Sequence, residues 1–176
     1  MSRIVLALTG PTGSGKTTIG EGLAKSLDKC VNIDADHIKH SIPSGFYKDD
    51  TNPGGWSYSE WELVGDSIGL LARNFLEKGF DVIVNGYIDE PAWSAIMDHV
   101  DLTHRVLLLP DLEEIVKRDA GRSEEIAMGR ASVERHHKHF STDKFFDDFT
   151  TINTSDQSVE ETASTIRNIL EGKNEQ

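Results

Sequence analysis

The chain contains a single cysteine, Cys30, so no disulfide can form within it and packing alone has to hold its core. A lone thiol also suits a reducing compartment. Long apolar runs are missing: the stretch Ile4 to Leu8 falls far short of the roughly 20 residues that cross a bilayer. No basic segment with a cleavage site precedes that run, so the expected location is the cytoplasm. Positive charge is scarce as well. Lys and Arg number 18 against 30 Asp and Glu, a net charge of −12. That argues against nucleic acid and anionic membranes as partners, because both need a cationic footprint. Internal repeats, low-complexity tracts and Pro/Ser-rich linkers are also absent, so the 176 residues are expected to form one domain.

What is present alternates between two periods. Arg3 to Leu8 is too continuous for a one-faced strand and reads as a strand buried on both sides. A helix is predicted from Lys16 to about Leu27, with Ile19, Leu23, Ala24 and Leu27 on its buried face. A strand follows at Val31–Asp34. Residues 43–59, rich in Gly and Pro, read as an inserted loop. The spacing of Trp61, Val64, Ile68, Leu71, Phe75 and Leu76 predicts a helix from Glu60 to Lys78, stopped by Gly79. Strands are predicted at Phe80–Val84, His104–Leu109 and around Thr151–Asn153. Helices are predicted at Asp89–His99, from Pro110-Asp111 through Arg118, at Arg130–Phe140 and at Ser158–Leu170. The segment from Arg122 to Arg130 is polar and reads as mobile. Strands separated by helices imply crossover connections, hence an α/β fold with a mainly parallel five-stranded sheet between helical layers.

The most specific signal is Gly10-Pro11-Thr12-Gly13-Ser14-Gly15-Lys16-Thr17, which satisfies G-x-x-x-x-G-K-[ST] between a buried strand and an amphipathic helix. Backbone N–H groups converge on phosphate oxygens only where the chain curls tightly, so glycines are needed at the curl. The helix N-terminus adds unpaired donors and partial positive charge. Gly10, Thr12, Gly13, Ser14, Gly15, Lys16, Thr17 and Thr18 are therefore expected to hold the phosphates of ATP. Lys16 would sit on the β- and γ-phosphates, and Thr17 would offer its hydroxyl to Mg²⁺.

Phosphate binding does not by itself define a reaction. Asp34-Ala35-Asp36-His37 lies at the end of the second strand, where a parallel sheet presents residues to its ligand crevice. Asp36 is positioned to take the proton of an attacking hydroxyl, and Asp34 to join the metal shell. A purely local role is the competing reading, with Asp36 as N-cap of the next helix. Arg118 and Arg122, at i and i+4, would share a helical face and stabilise the transferring phosphoryl group, with residues 119–131 as a lid. Arg130 is a weaker candidate, and pairing with Glu113, Glu114 or Glu125 is the alternative for all three arginines.

These residues resemble the small P-loop metabolite and antibiotic kinases, a group that includes chloramphenicol phosphotransferase, gluconate kinase and zeta-toxin-like proteins. The phosphate loop, Asp36 followed by Pro43, the arginine-rich segment near residue 120 and Ile152-Asn153-Thr154-Ser155 before the last helix carry the resemblance. It implies phosphorylation of a small hydroxyl acceptor with ATP and Mg²⁺, and Asp36 as general base. One departure stands out. Asn85 ends the third strand where many P-loop proteins carry an aspartate, so Asp34, Asp36 or Asp89 would have to supply the metal-shell charge.

Phe46, Tyr47, Trp56, Tyr58 and Trp61 crowd the insertion, forming either an acceptor pocket or a satellite core. Arg73 reads as a solvated helix residue, His136-His137-Lys138-His139 as a surface basic patch, and Cys30 as buried. The expected activity is ATP:alcohol phosphotransfer by a monomer or homodimer. The alternatives are a nucleotide-binding regulatory module without an acceptor, or a nucleoside or nucleotide kinase.

Overall fold

Alternation of buried faces organises the centre of the molecule. In the computed structural model, which describes residues 3–44, 57–123 and 127–173, β1 (Val5–Thr9) is buried along its whole length. Val5 and Ala7 belong to one apolar cluster, Leu6 and Leu8 to another, on opposite faces of the strand. Four further strands are β2 (Cys30–Asp34), β3 (Asp81–Gly86), β4 (His104–Leu108) and β5 (Thr150–Ile152). They lie in the order β2-β3-β1-β4-β5, and every pairing is parallel. The sheet is thus wholly parallel where a mainly parallel one was expected.

The helices are α1 (Lys16–Ser26), α2 (Ala35–His40), α3 (Tyr58–Glu77), α4 (Glu90–Met97), α5 (Leu112–Ala120), α6 (Arg130–Thr142) and α7 (Val159–Leu170). A 3₁₀ turn, Lys144–Asp148, leads into β5 and has no counterpart in the sequence reading. Ile19 and Leu23 of α1 and Ile166 of α7 cover one face of the sheet. Trp61, Val64 and Ile68 of α3, Trp93 and Ile96 of α4, and Phe140 of α6 cover the other. Each such fully buried side chain contributes about 1.5–3 kcal/mol relative to exposure. Among the described residues, no helix is long and apolar enough to cross a membrane.

α3 begins two residues earlier than its apolar spacing suggests, because Glu60 reaches back to accept the Ser57 N–H at 3.0 Å. The same device starts α7, where Ser158 and Glu161 exchange bonds of 2.8 and 3.1 Å. Cys30 is only half-buried, not enclosed as expected, since β2 is an edge strand. Its thiol is pushed up to about 11 by burial and by Asp81.

Chain order runs from the central β1 outward to β2 and β3, then crosses to β4 and β5. The strand ends that matter come together by register: Thr9 pairs with Gly86, and Asp34 with Asn85. The Thr9 hydroxyl donates to the Gly86 carbonyl at 3.0 Å and locks two of these ends.

The tightest helix contact is between α3 and α4. A Cβ at Gly65 would lie 2.3 Å from the Ala92 carbonyl oxygen and 2.7 Å from its Cα, so the two backbones touch only because no side chain intervenes. Gly65→Ala is expected to push these helices apart and destabilise the protein by about 1–3 kcal/mol. For a chain of this size that lowers the melting temperature by roughly 2–4 °C per kcal/mol. A thermal melt equal to that of the unaltered protein would show the contact to be dispensable.

Candidate functional site

β1 delivers the chain into the loop Gly10–Gly15 at the carboxyl edge of the sheet. Gly10 has no space for a side chain: a Cβ there would stand 2.3 Å from the Leu108 carbonyl oxygen and 2.9 Å from Ser14 Oγ. Gly13 and Gly15 adopt φ of 87° and 92°, the left-handed region that glycine enters without strain. Gly13 also rests on Ile115 of α5, with a hypothetical Cβ 3.0 Å from its Cγ2. The resulting curl is closed by a 3.2 Å bond from the Ser14 N–H to the Pro11 carbonyl.

This curl leaves donors unmatched. Gly15 caps α1 and supplies no side-chain bond to its first turn, which contains no acidic residue. Ser14 is buried with its Oγ unpartnered among the described residues. Lys16 is buried too, and its Nζ donates to the Pro11 carbonyl at 3.0 Å. Burial draws the Lys16 ammonium down to about 8. Lys39 and Arg122 act in the same direction, while Asp36 and Asp34 oppose it. Such a set of donors around a buried cation fits a polyphosphate. Thr17 and Thr18 stand exposed on the first turn of α1.

At the end of β2 the two aspartates divide their work, and the competing reading of Asp36 as N-cap does not hold. Asp34, not Asp36, is the N-cap of α2, accepting the Asp36 N–H at 2.8 Å. Its second oxygen lies 3.5 Å from the Thr17 hydroxyl. Thr17 and Asp34 thus bring a hydroxyl and a carboxylate together, oxygen donors of the kind Mg²⁺ takes. Asp36, relieved of capping, meets Lys39 at 2.9 Å. Burial alone would raise the Asp36 carboxyl, but the Lys39 ammonium, helped by Lys16 and His40, holds it below its ordinary value. Lys39 also lies 4.9 Å above the Trp61 ring. The i+3 spacing of Lys39 from Asp36 was the available sequence signal for this pair.

Asn85 is fully buried. Its amide donates to Asn32 Oδ1 at 2.8 Å, and its own oxygen has no partner among the described residues. Both side chains pack beneath Gly20 of α1. Asp89 is engaged elsewhere among the described residues. It caps α4 through the Glu90 N–H at 2.9 Å and faces His139 at 3.3 Å.

The arginines separate. Helix α5 ends at Ala120 with Gly121 as C-cap, so Arg122 lies beyond the helix and shares no helical face with Arg118. Arg118 is tied to Glu114 Oε1 at 2.9 Å and to the Thr154 carbonyl at 2.8 Å, beside the loop after β5. Arg122 is exposed, and its charge is felt at Lys16. Arg130 binds Glu134 at 2.7 Å and Glu113. Between them a residue overlooked in the sequence does the bracing. Asp119 is buried, and its carboxylate accepts the N–H groups of Met128 (3.1 Å) and Gly129 (2.9 Å). The centre of the expected lid, residues 124–126, lies outside the described residues.

The histidines of α6 do not form a surface patch. His136 is buried with Nδ1 3.2 Å from the Thr12 hydroxyl, and its ring packs 4.6 Å from Tyr87. His137 reaches the Pro110 carbonyl at 3.1 Å, and the His139 side chain is enclosed between Asp89 and Asp143. Adjacent histidines diverge around a helix, but here α6 packs against α5 on one side and Tyr87 and the main core on another, so several directions point inward. Trp61 is fully buried, 6.1 Å from Tyr87, and belongs to the main core, whereas Tyr58 and Arg73 are exposed. Phe46, Tyr47 and Trp56 lie outside the described residues.

Residues 5–142 match a protein family described as the AAA domain. No curated protein matches the chain. Among solved structures, a sugar kinase from Janibacter sp. is 16% identical, with a TM-score of 0.72 over 96% of this chain and 95% of that one. The tunicamycin resistance protein of Deinococcus radiodurans is 19% identical, with a TM-score of 0.70 over 96% and 95%. At such identities the likeness speaks for the α/β fold alone.

With its ammonium drawn down to about 8, Lys16 loses charge in the free protein as pH rises past that value, whereas a bound polyphosphate favours the charged form. ATP affinity is therefore expected to fall above about pH 8, by up to tenfold per pH unit, with proton uptake on binding. Titration calorimetry at about pH 7 and pH 9, in buffers of different ionisation enthalpy, measures both. A pH-independent affinity with no proton uptake would contradict this account of Lys16.

Proposed function

The chain belongs to the AAA domain family, and from that premise we propose that it is an ATP-dependent phosphotransferase that moves a γ-phosphoryl group to a hydroxyl of a small molecule. The observation that carries this reading is Asp36. Its carboxylate is partly open to solvent, kept ionised by Lys39, and close enough to Lys16 for each to affect the other's charge. A base in that position, beside a cradle for polyphosphate, is what hydroxyl phosphorylation requires and what nucleotide binding alone does not.

In the proposed step the acceptor oxygen attacks the γ-phosphorus while its proton passes to Asp36. The new P–O bond forms as the bond between the γ-phosphorus and the β–γ bridging oxygen breaks, and ADP leaves. Lys16 and the amides at the start of α1 offset charge on the departing phosphates, and Arg122 is the arginine available to join them. Arg118, held by Glu114 and Thr154, orders the loop after β5 in this reading. Thr17 and Asp34 would hold magnesium, which when bound neutralises phosphate charge.

One observation favours the alternative of a regulatory nucleotide-binding module. Asn85 is neutral, and its amide is committed to Asn32, so β3 ends without a carboxylate. A nucleoside or nucleotide acceptor remains a variant of the main proposal rather than a rival to it.

Asp36→Asn separates these readings. It is expected to leave ATP binding intact and to lower phosphotransfer by about 10²–10⁴-fold. ADP release measured against a panel of sugars, nucleosides, aminocyclitols and antibiotics supplies the readout. If no acceptor raises turnover in the unaltered protein, or the variant transfers phosphate as fast, the phosphotransferase reading fails.

A further inference from the structure

We infer that His136 is a positioning residue for the phosphate loop, fastening Thr12 and thereby coupling α6 to the nucleotide cradle. The inference rests on reading Gly10–Thr17 as that cradle.

Within Gly10–Gly15, among the described residues, Thr12 is the side chain with a hydrogen bond to another element of the fold. Its hydroxyl lies 3.2 Å from His136 Nδ1, across a sequence separation of 124 residues. Neighbouring positions cannot steady the loop in the same way. Gly13 and Gly15 have no side chains, Ser14 Oγ is unpartnered, and Lys16 turns back onto Pro11. A loop that curls through left-handed glycines is soft unless held, and amides that recognise phosphate need placement to about 0.5 Å.

The imidazole is itself held. His136 is 6% exposed, and its ring meets Tyr87 at 4.6 Å with the planes inclined by 49°. Tyr87 is in turn braced by Phe140 at 5.1 Å, edge to face, and by Trp61 at 6.1 Å. Nδ1 is therefore presented to Thr12 from a wall that includes α3, the end of β3 and α6. That packing would satisfy an ordinary core histidine, but it would not require the ring nitrogen to face the phosphate loop.

The other end of α6 completes the connection. Gly129, its N-cap, and Met128 are both held by the Asp119 carboxylate, directly after the segment that carries Arg122. Asp119 of α5 is thus joined through the start of α6 to His136, and from there to Thr12. His136 is accordingly expected to govern nucleotide affinity rather than the chemical step.

A double-mutant cycle on the binding of a fluorescent ATP analogue tests this, with His136→Phe, Thr12→Val and the pair. Phenylalanine keeps the ring against Tyr87 but cannot bond to Thr12. Each single change is expected to weaken binding about five- to tenfold, and the pair to weaken it no further than either alone. His136→Asn, whose amide can reach the hydroxyl, recovers most of the affinity, as does Thr12→Ser in place of Thr12→Val. These two conservative variants carry the comparison if His136→Phe folds poorly. Effects that multiply in the pair, or a lowered melting temperature with unchanged affinity, overturn the proposal. If the unaltered protein does not bind the analogue, the cradle reading itself has failed, and that result is visible before any variant is made.

Discussion

An ammonium withdrawn from water needs electron-rich neighbours, and Lys16 has a single hydrogen bond among the described residues, to the carbonyl of Pro11. The first turn of α1 adds unpaired amides at the same place, because its cap is a glycine. A buried cation and unpaired amides at one helix N-terminus make a place suited to an anion. The surrounding architecture follows from keeping that arrangement open. β1 brings the chain to the sheet edge, Gly10 passes under the Leu108 carbonyl with no room for a side chain, and Ile115 supports Gly13 from below. Two opposed layers of apolar side chains, one of them rich in aromatic rings, pack the sheet that holds the curl.

From this centre a continuous line of contacts runs along one side of the crevice. Asp36 pairs with Lys39, Lys39 lies over Trp61, Trp61 neighbours Tyr87, Tyr87 packs on His136, and His136 meets Thr12. The line begins at the carboxylate of the proposed chemistry and returns to the phosphate loop. The aromatic members sit in the main core, so the geometry of the site is set by the same packing that stabilises the fold. Burial, with Asp89 close by, pushes the Tyr87 hydroxyl far above its ordinary value, and this phenol stays neutral at any working pH.

Much of the fold was legible because its signals are local. A both-sided apolar run, a glycine-rich curl and helices of 3.6 periodicity need no knowledge of distant partners, and β1, α1, α3 and α7 follow them to within a few residues. The phosphate loop was equally readable, since its chemistry is written in eight consecutive positions. The failures share a cause. His136 was assigned to the surface because nothing near it in sequence reveals Thr12, and Asp119 was overlooked because its partners are amides that any residue carries. Arg118 and Arg122 were placed on one face by counting, which assumes an unbroken helix, and Gly121 ends it between them. Asp34 and Asp36 lie where β2 gives way to α2, and which of them caps that helix is decided by a local bond that composition does not encode.

The Asp119 carboxylate bears on how the two helices beside this site are held together. By receiving amides from both Met128 and Gly129, it joins the two ends of the segment between α5 and α6. A connection bonded across its ends explores fewer arrangements than an open one, so its described ends, residues 121–123 and 127–129, are held near one another. The residue has no contact with phosphate in this account. Its contribution is positional: it fixes the start of α6 against the end of α5, and with it the helix that presents His136 to Thr12.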